Sequence, residues 1–116
     1  MIFDFFIGGF FGNSLSLVLK GEDLLCYEYV SVLTDLDTPA VIHLKENKQW
    51  QNVLDFLKEC NWKRRYTSPI LDGEQWSLVA ISDSFHIKSD GSNAYPEDFD
   101  VFLNLLKKLI GIDIRN

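Results

Sequence analysis

Two short motifs in the second half of the chain, Asp72-Gly73-Glu74-Gln75-Trp76 and Gly91-Ser92-Asn93-Ala94-Tyr95-Pro96, constrain the fold more than any other feature. The first joins a turn-forming Asp-Gly pair to the start of a β-type run, Trp76-Ser77-Leu78-Val79-Ala80-Ile81. The second follows Phe85-His86-Ile87-Lys88, which predicts a hairpin about Asp83-Ser84. It then leads into an amphipathic segment, so Gly91, Ser92 and Asn93 read as a polar loop that seats a helix. Gly91 is expected to supply a positive φ angle there, with Ser92 and Asn93 bonding their own backbone.

In that final segment Phe99, Phe102, Leu103, Leu106, Leu109 and Ile110 recur at helical spacing. Pro96 is expected in the first turn, with Glu97 and Asp98 complementing the helix start, Lys107 and Lys108 its end, and Gly111 terminating it. A second amphipathic helix is predicted over residues 45–60 from Trp50, Val53, Leu54, Leu57 and Cys60, with Asn61 at its exit.

Upstream, the apolar N-terminal run, residues 14–19 and residues 24–32 predict three strands of an antiparallel meander. Short turns are expected near Gly12-Asn13 and Gly21-Glu22, because neither interval has room for a crossover helix. Ala40-Val41-Ile42 is a possible further extended piece. The expected architecture is α+β: an antiparallel sheet of about five strands, in the order β-β-β-α-β-β-α, with two helices packed on one face. Residues 1–116 suit a single domain, since 47% hydrophobic and 14% aromatic residues can build a core without disulfides or metals. No lysine or arginine precedes Lys20, and Asp4 and Gly8-Gly9 interrupt the apolar start, which argues against a leader peptide. No apolar run approaches the roughly 20 residues of a spanning helix, so a soluble, cytoplasmic protein is expected.

A net charge of −6 opposes long-range attraction to phosphate backbones, and Lys63-Arg64-Arg65 is too short to reverse that. Cys26 and Cys60 lack metal-ligand spacing; a single disulfide between them would need their Cα atoms to approach closely, and free thiols are the simpler expectation, with no metal and no cofactor. His43 and His86 fall in strand segments with no nucleophile motif nearby, and alternation turns His86 outward. The carboxylates Asp72, Glu74, Asp90, Glu97 and Asp98 are accounted for more simply by turns and a helix start than by acid–base chemistry. Neither Gly8-Gly9 nor Gly91-Ser92-Asn93 matches a nucleotide-binding motif. No catalytic residue is therefore assigned. Trp50 and Trp76 belong to predicted buried faces, whereas Trp62, Tyr66, Asn93 and Tyr95 stand at element boundaries and are the candidate partner-binding residues.

Trp50, Trp62 with Tyr66, Asp72-Gly73 with Trp76, Gly91 to Pro96, and Phe99 with Phe102 form a pattern that covers residues 45–111. In it the chain resembles a group of small bacterial proteins similar to the immunity proteins of toxin systems. That resemblance implies tight stoichiometric binding and no enzymatic mechanism. The leading expectation is a non-catalytic protein-binding domain, an immunity-like inhibitor of a basic toxin or effector, with neither nucleic acid nor membrane as partner. The alternative is a small hydrolase or ligand-processing enzyme with a pocket near Asp72, His86 and the loop of Gly91 to Asn93. Homo-oligomer packing through Phe3, Phe5 and Phe6 is a third expectation.

Overall fold

The computed structural model of the chain describes residues 1–9, 14–29, 39–69, 73–112 and 114. Seven strands and two helices follow one another as β1 (Ile2–Gly9), β2 (Ser14–Lys20), β3 (Asp23–Tyr29), β4 (Ala40–His43), α1 (Lys48–Lys58), β5 (Arg65–Thr67), β6 (Glu74–Ile81), β7 (His86–Ser92) and α2 (Phe99–Ile110). All seven strands belong to one sheet in the order β4-β3-β2-β1-β6-β7-β5. Every neighbouring pair is antiparallel except β5 and β7, which run parallel. The α+β class is as expected, but the sheet is mixed and has seven strands rather than about five. Ala40–His43 does add a strand, against β3. Arg65–Thr67 adds the parallel edge, and a three-residue strand that starts with a cation has too little alternation to betray itself.

The meander closes as its turn residues require. Lys20 pairs with Asp23, leaving a two-residue loop in which Gly21 holds φ 64°, a value that glycine adopts without steric cost. The turn expected near Gly12-Asn13, and the end of the third strand expected to reach residue 32, lie outside the described residues.

Central strand β1 pairs with β2 on one side and β6 on the other, and its residues alternate between two environments. Phe3, Phe5 and Ile7 are buried. Phe3 meets the Trp50 ring of α1 edge-on at 5.4 Å, and Phe5 meets Phe102 of α2 edge-on at 5.2 Å. Residues two apart on a strand share a face, so both helices pack on the same side of β1. Leu17, Leu24, Leu78 and Ala80 extend that core across the neighbouring strands, and each fully buried leucine or phenylalanine contributes on the order of 1.5–3 kcal/mol. An interface through Phe3 and Phe5 is thereby ruled out, because both rings are inside the core; Phe6 alone points to the opposite face.

α1 begins at Lys48 rather than at residue 45 because Asn47 caps it: its side-chain oxygen accepts from Trp50 N–H at 3.0 Å, and Glu46 ahead of it is left-handed at φ 58°. It ends at Lys58, before Asn61. Pro96 does not enter the first turn of α2. Phe99 N–H bonds back to the Pro96 carbonyl at 3.1 Å, so the proline builds a turn that precedes the helix. At the other end Gly111, φ 75°, donates to the Lys107 carbonyl at 2.8 Å beside Lys107 and Lys108, the termination that the sequence predicts. Among the described residues no helix is long and apolar enough to cross a membrane.

Candidate functional site

Gly91 and Ser92 are strand residues of β7 and not loop residues, which places them beside β6 with Trp76 opposite Gly91 and Gln75 opposite Ser92. Gly91 is not needed for a positive φ; that conformation falls to Asn93, at 54°, and Gly73, at 135°. What Gly91 provides is room. A β-carbon there would collide with the Trp76 indole nitrogen and approach the Ala94 carbonyl oxygen to 2.5 Å, breaking into the bond that Trp76 Nε1 donates to that oxygen at 2.9 Å.

The two motifs are each other's partners. Asn93 N–H donates to the Glu74 carbonyl and Glu74 N–H donates to the Asn93 side-chain oxygen, both at 2.9 Å. Tyr95 Oη donates to the Glu74 carboxylate at 2.8 Å. A side chain at Gly73 would overlap the Asn93 amide, so Gly73 is required by space as well as by φ. Asp72 lies outside the described residues. The interlock consumes the backbone donors and acceptors that would otherwise be left over where the β6–β7 ladder ends.

Around it lies an aromatic cluster. The Trp76 ring stands 4.8 Å from Phe99, 5.5 Å from Trp62 and 6.0 Å from Tyr66, and Tyr95 packs 5.0 Å from Phe99. Trp62, Tyr66, Asn93 and Tyr95, the candidate partner-binding residues of the sequence, thus lie in one region, and each has a polar bond within its own chain. Trp62 Nε1 donates to Asp98 at 2.7 Å, and Tyr66 Oη accepts from Lys63 N–H at 2.9 Å. Ser89, the one buried polar residue among those described, donates to the Lys63 carbonyl and pins the same segment from below.

The ionisable groups are dispersed. Asp90 pairs with Arg65 at 3.2 Å across the β7–β5 edge, and Asp23 pairs with His43 at 2.8 Å across β3–β4. His86 is exposed and begins β7, whereas Asn93 follows its end; at about 3.3 Å per residue the strand separates them by roughly 20 Å. Burial pushes the Cys26 thiol up to about 11, with a smaller push from Glu28, and burial likewise raises Cys60. Both are free thiols held in the protonated, weakly nucleophilic form at neutral pH. No group of His, Cys, Asp or Glu among the described residues is placed to hold a metal ion.

The other face of the sheet differs in kind. Register partners in an antiparallel sheet share a face, so Phe6 lies beside Ser16 and Ser77, and Asp4 beside Val18 and Val79. Continuing the rows, Tyr27 flanks Ser16, Leu25 flanks Val18, Val41 flanks Leu25, and Ile2 flanks Ile81. Most of these are half-buried, while Ile2 and Val41 are 52% and 48% exposed. Neither helix packs on this side. On β7 the rows end in Asp90 beside Ser77, Lys88 beside Val79 and His86 beside Ile81, so the face mixes apolar and polar side chains. The residues are visible in the sequence as the polar-phase positions of strands, but their assembly into one surface depends on seven-strand register, which the sequence does not display. Comparison with protein-family models, curated proteins and solved structures finds no match.

Proposed function

We propose that the chain is a non-catalytic protein-binding domain, acting as an immunity-like inhibitor that covers a basic toxin or effector. The observation that carries this reading is the helix-free face of the sheet, where Val18, Leu25 and Val41 adjoin across β2, β3 and β4 and Phe6, Tyr27, Val79 and Ile2 add apolar surface among the polar Ser16, Ser77 and Lys88. Contiguous apolar area on an otherwise polar surface favours association with another protein. The net charge of −6 adds attraction toward a cationic partner and speeds its encounter. In this reading the region of Trp62, Tyr66, Asn93 and Tyr95 serves to hold the hairpin and α2 in place, and the partner's main contacts are on the sheet.

The test is co-expression with each adjacent open reading frame of the source genome, scoring growth and co-purification. One neighbour should encode a basic protein whose toxicity is relieved by this chain through a stoichiometric complex. If no neighbour binds and none is neutralised, the proposal is wrong.

A further inference from the structure

On the helix-free face a carboxylate stands at the centre of the sheet, between apolar neighbours. Asp4 occupies the middle of β1, with Val18 and Val79 directly across on the two neighbouring strands and Ile2 and Phe6 two residues away on the same side. Its carboxylate is exposed and has no hydrogen-bond or ion-pair partner among the described residues. Aspartate is among the residues least suited to a strand, and here a β-branched residue would pack against both valines. The position therefore sacrifices local stability for a charge that no described side chain bonds; the cation in its row, Lys88, stands beyond Val79 on β7.

We propose that Asp4 is the central anchor of the partner-binding face and receives a lysine or arginine side chain of a basic protein, with the surrounding apolar side chains excluding water from the pair. This inference rests on the protein-binding reading above and names its surface and the chemistry of its partner. Charge complementarity selects the occupant. Two copies of this chain meeting about Asp4 would oppose two carboxylates and two net charges of −6, whereas a cationic side chain satisfies both the local carboxylate and the overall field. An ion pair ringed by apolar groups is shielded from solvent, so leaving either charge without its partner is costly, which makes the pair a determinant of specificity.

Random peptides displayed on phage provide a probe that does not require the natural partner. Panning against the full chain should enrich peptides that carry lysine or arginine next to apolar or aromatic residues. Their affinity should fall about tenfold or more for Asp4→Asn and be retained by Asp4→Glu. Asp4→Lys combined with a peptide whose cation is changed to glutamate should restore binding. Asp4→Thr should raise the denaturation midpoint while losing the peptide, which shows that a loss of binding is not a loss of fold. Enriched peptides indifferent to Asp4, or lacking cations, would overturn the inference while leaving a protein-binding function intact at another surface. Self-association of Asp4→Asn or Asp4→Thr without any cationic peptide preference would overturn it too, reducing Asp4 to a guard against sheet stacking. Failure of the neighbouring-gene test with cationic peptides still bound at Asp4 would instead reject the immunity-like role alone.

Discussion

The two faces of the sheet use the same strands for opposite ends. On β1, Phe3, Phe5 and Ile7 are sealed beneath two helices, while Ile2, Asp4 and Phe6, the residues between and before them, stay partly or fully in contact with solvent. The covered face is internally complete: aromatic rings from β1, α1 and α2 meet at 5–6 Å centroid distances such as the 5.2 Å of Phe5 and Phe102 and the 5.5 Å of Phe56 and Phe102. The helix-free face has half-buried apolar side chains set among polar ones and a carboxylate that no described side chain bonds, so its interactions are unfinished within the described residues. On the proposed reading the contrast divides stability and recognition between alternate residues of one strand, and substitutions can separate them.

The sharpest way to break the comparison is to truncate adjacent phenylalanines. Phe5→Ala should cost about 3–5 kcal/mol and Phe6→Ala about 1 kcal/mol, measured by chemical denaturation. Equal losses would mean that the helix-free face is a second core. Gly91→Ala comes next, at about 2–3 kcal/mol, because the added methyl collides with the Trp76 indole. In a Trp76→Leu background the same change should be far milder, and a thermodynamic cycle reads the difference.

Cys26, on the covered side with Leu24, supplies a pH test. Its folded value is raised from 9.0 to about 11, so the thiolate is disfavoured in the folded state. Its contribution to stability is fully present below pH 9 and is lost as the pH rises toward 11, by about 2 kcal/mol. Cys26→Ala should flatten that part of the stability profile relative to the parent chain; an unchanged slope would show that the site admits the charge. Tyr95→Phe should remove about 1 kcal/mol by deleting the bond to Glu74, with little effect on peptide binding. The smallest effect has the opposite sign: Asp4→Thr should stabilise the fold by about 0.5 kcal/mol, in keeping with the strand preferences of the two residues.

Much of the covered face was legible in the sequence. The spacing of Phe99, Phe102, Leu103, Leu106 and Leu109 is local and survives in α2, and the alternation from Trp76 to Ile81 survives in β6. Gly111 ends its helix as its chemistry requires. Local chemistry could not show why Gly91 is needed, since the reason is the Trp76 indole on the neighbouring strand rather than a backbone angle. Nor could it show that Glu74 answers both Asn93 and Tyr95, a pairing fixed only when β6 and β7 come together. The parallel edge strand β5 escaped because Arg65, Tyr66 and Thr67 carry no periodic signal and derive their order from β7. In the sequence Asp4 is only an interruption of an apolar run; its place between Val18 and Val79 appears only with the register of β1. Non-local pairing is the common cause of all four gaps.

The central claim is that recognition takes place on the helix-free face, and side-chain footprinting of the chain in complex with a neutralised neighbouring protein tests it most directly. Protection should appear at Phe6, Val18, Tyr27 and Val79, and the exposed helix positions Asp55 and Asn104 should label as they do in the free protein. Protection confined to the helices, with the sheet side chains labelled as before, would contradict the account.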